Sequence, residues 1–77
     1  MVEFEKLESE IFKFGEDEFI EIDKKKIVSE EGEEETIVIE RGFFDDKGGK
    51  RYRNNISIPK EEEVVDFLLE KLPEFVS

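Results

Sequence analysis

The stretch that decides the fold is Arg51–Leu72, which reads RYRNNISIPKEEEVVDFLLEKL. Its first part, Arg51–Ile58, alternates between polar and apolar residues, as a β-strand with one buried face does. After Pro59 the apolar residues recur with helical spacing, and three glutamates suit the positively polarised start of a helix. The stretch therefore predicts a strand followed by a C-terminal helix that begins near Pro59 and ends at Pro73.

Short apolar clusters upstream predict further strands. These clusters are Ile11–Phe14, Phe19–Ile22, Ile27–Val28 and Thr36–Phe44. Phe4, Leu7 and Ile11 fit either a short helical turn or the entry to the first strand. We expect an α+β fold, in which about four antiparallel strands (three to five) precede the C-terminal helix in a single domain spanning residues 1–77.

Turn chemistry separates the predicted strands. We place turns at Asp23–Lys26 and Ser29–Glu35, and the clearest one at residues 45–50, where paired glycines supply the positive φ of a tight hairpin. The acidic run Glu30–Glu35 could in principle bind Ca²⁺ or Mg²⁺, but it lacks the alternating Asp/Asn spacing of an EF-hand loop. A solvated acidic turn is the favoured interpretation. The three lysines of Lys24–Lys26 are interpreted as a solvated hairpin tip, with phosphate contact as the alternative.

Composition excludes several classes of protein. The 77 residues include no Cys and no His, so disulfide scaffolds, zinc fingers and thiol or imidazole catalysis are excluded. The hydroxyl nucleophiles have no imidazole to activate them, and we predict no enzyme activity, no cofactor and no metal site. Hydrophobic residues make up 36% of the chain, a small core that dimerisation would enlarge.

The charge balance is strongly acidic. The formal net charge is −11, which taken alone argues against nucleic acid and anionic membranes as partners. No apolar run approaches the length of a membrane span, and the acidic start is unlike a signal peptide, so a cytoplasmic location, nucleoid-associated in the case of DNA binding, is expected. The many Glu and Lys residues are typical of thermophile proteins and suggest an archaeal-like origin.

The segment Arg41–Arg53 is basic within this acidic chain. Five basic residues against two aspartates give it a charge of +3, which leaves −14 for the remainder. Cations beside exposed aromatic rings suit single-stranded nucleic acid, because the cations pair with phosphates and unstacked bases lie on the rings. The candidate binding residues are Arg41, Phe43, Phe44, Lys47, Lys50, Arg51, Tyr52 and Arg53. The alternative is that the rings are core and the cations pair with acids across the sheet.

The alternation also predicts which face each candidate occupies. It places Tyr52 with Ile56 and Ile58, and Arg51 with Arg53 on the outer face. Phe43 and Phe44 are adjacent, so one ring is expected on the outer face unless a bulge at Gly42 shifts the register.

Two stretches resemble the PC4-like transcriptional coactivator family. Residues 37–48, IVIERGFFDDKG, are similar to the family's alternating strand, aromatic end and acidic-glycine turn, and residues 50–62, KRYRNNISIPKEE, to its basic stretch, short strand and helix start. The resemblance covers residues 36–72, about half of the chain, and departs at Asn54 and Asn55, where the family has a basic residue and a glycine. It implies a four-stranded sheet, a helix that dimerises, and single-stranded DNA bound along a basic, aromatic sheet surface.

The resemblance also assigns roles to residues. By it, Phe43 stacks a base, Lys50 and Arg53 lie in the nucleic-acid groove, and the helix forms the dimer interface. The interface residues so implied are Val64, Val65, Leu68, Leu69 and Leu72. Archaeal single-stranded-DNA-binding proteins of the ThermoDBP type also combine an antiparallel sheet with helices, and the residues do not separate the two kinships.

We therefore predict a homodimer that binds single-stranded DNA or RNA with little sequence preference, as an accessory in transcription, replication or repair. The alternative is an acidic protein-interaction module whose basic hairpin docks on a partner.

Overall fold

A computed structural model describes residues 2–76 of the chain. Four antiparallel strands lie side by side in chain order, and one helix follows them. The elements are β1 (Glu3–Phe14), β2 (Glu18–Ser29), β3 (Gly32–Phe44), β4 (Lys50–Pro59) and α1 (Glu62–Val76). The predicted α+β arrangement of a four-stranded antiparallel sheet and a C-terminal helix is confirmed. The N-terminal segment, which the sequence left open between helix and strand, is the edge strand β1.

The turn predicted at Asp23–Lys26 is wrong, because β2 runs through it without interruption. The lysines there face acidic residues across the sheet: the Lys26 Nζ atom lies 3.2 Å from Glu33 Oε2, and the Lys25 Nζ atom lies 3.5 Å from Glu40 Oε1. Opposite charges on neighbouring strands stabilise the pairing, so a run of lysines continues the strand instead of ending it.

The acidic turn is shorter than predicted. Ser29 pairs directly with Gly32, so the turn consists of Glu30 and Glu31, and most of the predicted loop belongs to β3. Gly32 has a φ of 132°, which suits the tight connection.

The hairpin turn between β3 and β4 is confirmed. The Asp45 carboxylate accepts hydrogen bonds from the backbone N–H groups of Lys47 and Gly49, at 3.0 and 2.8 Å. Gly48 has the positive φ of 81° that the turn requires. Asp45 therefore fixes this turn through its own side chain.

The register divides the sheet into two faces, because directly paired residues of antiparallel strands point to the same side. One side, here called the isoleucine face, carries six isoleucines: Ile20, Ile22, Ile37, Ile39, Ile56 and Ile58. The other side, here called the lysine face, carries four lysines: Lys6, Lys13, Lys25 and Lys50.

A bulge beside the end of β3 changes which residues of β4 share a face. Arg41 pairs with Asn54 but Gly42 pairs with Tyr52, so Arg53 is an extra residue on β4. Tyr52 consequently lies on the lysine face, away from Ile56 and Ile58, and the predicted grouping of these three residues is wrong.

Helix α1 begins and ends later than predicted. Pro59 is the last residue of β4, where a residue without an N–H group is tolerated, and α1 starts at Glu62. Pro73 lies inside the helix, which continues to Val76. Proline removes only one backbone hydrogen bond and has a helical φ, so one residue in the final turn does not end the helix.

The buried apolar core is small. Among residues 2–76, only Phe19, Val38 and Ile58 are buried hydrophobic residues, and no residue of α1 is buried. The described residues contain no helix that is both long and apolar enough to span a membrane. Exposed apolar side chains remain on the isoleucine face and on α1: Ile20, Ile22, Ile56, Phe67, Leu69 and Leu72.

Candidate nucleic-acid interface

The bulge at Gly42 distributes the eight predicted site residues over both faces of the sheet. Phe44, Lys50 and Tyr52 lie on the lysine face, where Phe44 pairs with Lys50. Lys47 occupies the exposed hairpin tip. The other four predicted residues lie on the isoleucine face or at its end: Arg41, Phe43, Arg51 and Arg53. The sequence grouped all eight as candidates although the predicted alternation already separated Tyr52 from Arg51 and Arg53, and the structure brings together two separate groups.

The lysine face contains an aromatic cluster at its hairpin end. The ring of the fully buried Phe19 lies 5.1 Å from the Phe44 ring and 5.5 Å from the Tyr52 ring, centroid to centroid. Gly42 lies between them on β3, and a Cβ atom there would lie 2.9 Å from the Phe19 ring. The glycine therefore lets rings from β2 and β4 meet across β3, and Tyr52 remains 49% exposed.

A buried carboxylate organises the basic residues of this face. Glu21 is fully buried, and its carboxylate accepts hydrogen bonds from Lys50 Nζ at 2.9 Å, Lys6 Nζ at 3.3 Å and the Tyr52 hydroxyl at 3.3 Å. Burial opposes ionisation of Glu21, but the hydrogen bonds that its carboxylate accepts from Lys50 and Lys6 lower its pKa to about 2. Glu21 is therefore an anion that holds two ammonium groups and a phenol in place.

Two further acids lie beside Glu21. Asp23 is fully buried and Glu40 is partly buried, and carboxylate oxygens of the three residues lie within 4.8 Å of one another. Burial raises the pKa of Glu40; the Lys25 ammonium opposes this, and the negative charge of Asp23 adds to it. Three oxygens at this spacing would suit a hard cation, but the ammonium groups of Lys6 and Lys25 already lie 3.7 and 3.9 Å from Asp23 Oδ2.

On the isoleucine face, the predicted cations contact rings and carboxylates of the protein itself. The Arg53 guanidinium lies 4.8 Å from the centroid of the Phe43 ring, a cation–π contact that occupies one face of that ring. Arg41 pairs with Glu18 at 3.0 Å, and Arg51 pairs with Asp45 at 3.1 Å. The cations of this group are therefore largely engaged within the protein. Phe43 and Phe44 are both half-buried, on opposite faces, next to the register shift at Gly42 that the sequence allowed for.

Sequence reasoning missed the contribution of β1 and β2 to the lysine face. Lys6, Lys13 and Lys25 belong to it, and Lys13 Nζ lies 5.1 Å from the Phe44 ring centroid. Phe19, Glu21 and Asp23 alternate as residues on one face of a strand do, and this spacing would have identified the face. The turn wrongly predicted at residues 23–26 interrupted that strand.

The acidic residues are unevenly divided between the faces. The lysine face exposes Glu34 near the opposite end from the hairpin, and its other three acids lie beneath lysines. The isoleucine face carries most of the strand acids: Glu3, Glu5, Glu8, Glu10, Glu18, Glu33 and Glu35. The lysine face therefore presents ammonium groups at its surface while the net charge of the chain is negative.

Comparison with known proteins gives no neighbour: no protein family, no curated protein and no solved structure matches the chain.

Proposed function

We propose that the protein is a homodimer that binds single-stranded DNA or RNA on its lysine face, with little sequence preference. The observation that carries this proposal is the layering of that face. Glu21 and Asp23 are 0% exposed, whereas the Lys6 and Lys50 side chains above them are 46% and 42% exposed. An approaching phosphate meets ammonium groups before it meets carboxylates.

Stacking would come from the same face. Tyr52 is half exposed, and its ring is held against Phe19 while its hydroxyl is held by Glu21. A ring fixed in this way offers its surface to an unpaired base at little entropic cost. Duplex bases already stack on one another and do not reach the ring, so a single strand is the preferred ligand.

The accessible surface supports the dimer. The chain exposes 6505 Å², against about 4,900 Å² for a compact monomer of its mass. Its radius of gyration is 14.7 Å, where about 11.5 Å is usual for this length. The excess surface of about 1,600 Å² exceeds the roughly 800 Å² that each partner buries in a standard protein interface.

The isoleucine face and α1 are the surfaces that a second copy would cover. Ile56 is 58% exposed on the sheet, and Leu69 is 67% exposed on the helix. The implied interface residues Val64, Val65 and Leu68 are half-buried, whereas Leu69 and Leu72 are exposed. Burial of this apolar surface in a dimer leaves both lysine faces open to nucleic acid.

Fluorescence anisotropy with a labelled single strand of about 20 nucleotides at low salt tests the binding, with the matched duplex as control. A dissociation constant weaker than about 100 µM refutes the proposal, because that is the weak limit of non-specific affinity. Tyr52→Ala should weaken binding by about 1–3 kcal/mol, the usual contribution of one stacked base. Phe43→Ala is the matched variant. If only this change weakens nucleic-acid binding, the binding site lies on the isoleucine face.

Sedimentation equilibrium at micromolar concentration tests the dimer separately. We expect twice the chain mass of 9.1 kDa for the natural sequence, and a shift towards monomer for Leu69→Glu. A natural protein that sediments as a monomer would exclude the dimer while leaving the binding proposal standing.

The alternative function, an interaction module that docks on a protein partner, is favoured by one observation. Arg41, Lys50 and Arg51 already pair with carboxylates, which shows that this hairpin accepts acidic side chains. Failure to bind any single strand would favour this reading.

A further inference from the structure

We propose that a proton held between Glu40 and Asp23, beneath the lysine face, regulates nucleic-acid binding, so that affinity rises as the pH falls. The coupling rests on the nucleic-acid binding proposed above and adds its regulation. It is carried by the arrangement of the buried carboxylates.

The place for the proton is a carboxylate oxygen without a donor. Asp23 Oδ1 accepts a hydrogen bond of 2.7 Å from the Ser9 hydroxyl. Asp23 Oδ2 is fully buried and accepts no hydrogen bond among the described residues. The Lys6 and Lys25 ammonium groups lie 3.7 and 3.9 Å from this oxygen, beyond hydrogen-bond distance. A buried acceptor without a hydrogen bond is costly, and a protonated carboxyl of the neighbouring Glu40 can donate one.

The surroundings of Glu40 favour its protonation, whereas those of Glu21 oppose it. Burial and the Asp23 charge raise the pKa of Glu40, whereas Glu21, with a pKa of about 2, stays ionised and keeps its lysines in place. Every strand contributes to this environment. The titratable and charged groups around the cluster are Lys6 from β1, Glu21, Asp23 and Lys25 from β2, and Lys50 and Tyr52 from β4.

Protonation of Glu40 changes what a phosphate meets. Lys25 Nζ lies 3.5 Å from Glu40 Oε1, and loss of the carboxylate charge leaves that ammonium group with one anionic neighbour fewer. The face then becomes more positive by one unit and attracts a polyanion more strongly. Linkage is reciprocal, so a bound strand must also raise the proton affinity of Glu40, and binding takes up protons.

Few other groups titrate in the pH range in which this effect is expected. A raised pKa places the transition above the ordinary carboxyl range of about 4.3. The chain has no His and no Cys, so no other side chain has an ordinary titration between about pH 5 and 7. A change in affinity within this range points to a perturbed carboxyl group.

The test is the dissociation constant of a labelled oligothymidylate at about pH 5 and pH 7, at constant ionic strength. We expect tighter binding at the lower pH, by up to about fivefold where Glu40 is fully protonated, which is the effect of one unit charge about 8 Å from a phosphate at an effective dielectric constant between 20 and 80. Glu40→Gln should give the same affinity at both pH values. Glu34→Gln is the control, because it removes the same charge from an exposed position on the same strand and face, about 20 Å away.

A measurement on the natural protein needs no variant. Calorimetric titration in two buffers of different ionisation enthalpy should show net proton uptake on binding at the pH values where the affinity changes. Binding without proton uptake and with a constant affinity would overturn the coupling and leave the binding proposal intact. Absence of binding at both pH values would refute the binding proposal and the coupling with it.

Discussion

Replacement of Glu21 by Gln tests whether the buried carboxylate holds the lysine face together. Glu21→Gln keeps the size of the side chain but removes the charge that Lys6, Lys50 and the Tyr52 hydroxyl share. The pKa of Glu21 is lowered from 4.5 to about 2, and at about 1.4 kcal/mol for each pKa unit its ionised form contributes about 3 kcal/mol to folding. The variant should lose about that amount at pH 7.

The sign of the pH dependence distinguishes charge from packing. Because the folded-state pKa lies below the unfolded value, the contribution is complete above about pH 4.5 and is lost as the pH falls towards 2. The destabilisation should therefore shrink to about 1.5 kcal/mol at pH 3.

Urea unfolding at the two pH values measures this difference, at one fixed protein concentration because the proposed dimer would make the midpoint concentration-dependent. The exposed Glu34→Gln should change stability by less than about 0.5 kcal/mol. Equal destabilisation by Glu21→Gln at pH 7 and pH 3 would refute the reasoning, since only a packing defect is independent of protonation.

Two backbone positions give further predictions. Gly42→Ala should destabilise the fold by about 2–4 kcal/mol in the same urea assay, because its Cβ atom would overlap the Arg51 carbonyl group and crowd the Phe19 ring; unchanged stability would contradict the described bulge. Pro73→Ala should raise the helical circular-dichroism signal and add about 1 kcal/mol of stability, because it restores an N–H group that can donate to the Leu69 carbonyl; a weaker helical signal would mean that the helix does not continue past residue 73.

The sequence predicted the element types well because they depend on local chemistry. The hairpin at residues 45–49 follows from an aspartate and two glycines, and the helix follows from spacing and acidic residues in its first turn. The false turn at Asp23–Lys26 had a different origin. Three consecutive lysines resemble a solvated tip until Glu33 and Glu40 are placed opposite them, and cross-strand pairing is information that a local pattern does not hold.

Only three of the eight predicted site residues, Phe44, Lys50 and Tyr52, lie on the lysine face. A single extra residue, Arg53, reverses which side chains of β4 share a face, and it moves Tyr52 into contact with Phe19. Alternation predicts which face a residue occupies only within a stretch that contains no bulge. The close approach of Arg51 and Phe19 to Gly42 becomes visible only when the strands are paired. The same shift joins Tyr52 to Glu21, a residue with no signal of its own among 23 acids.

The net charge of −11 is compatible with a polyanionic ligand only if the acids are segregated, and the sheet register segregates them. Exposed charges further apart than about 10 Å are screened from one another at moderate salt, so the charge that a phosphate meets is local. On the lysine face the carboxylates of Glu21 and Asp23 lie beneath ammonium groups, whereas Glu8 and Glu10 lie on the opposite side of β1. Repulsion from the acidic surfaces would then confine the proposed nucleic-acid strand to one face. Removing acids from the isoleucine face should accordingly increase unspecific contacts more than it strengthens the site, because those acids point away from the lysine face.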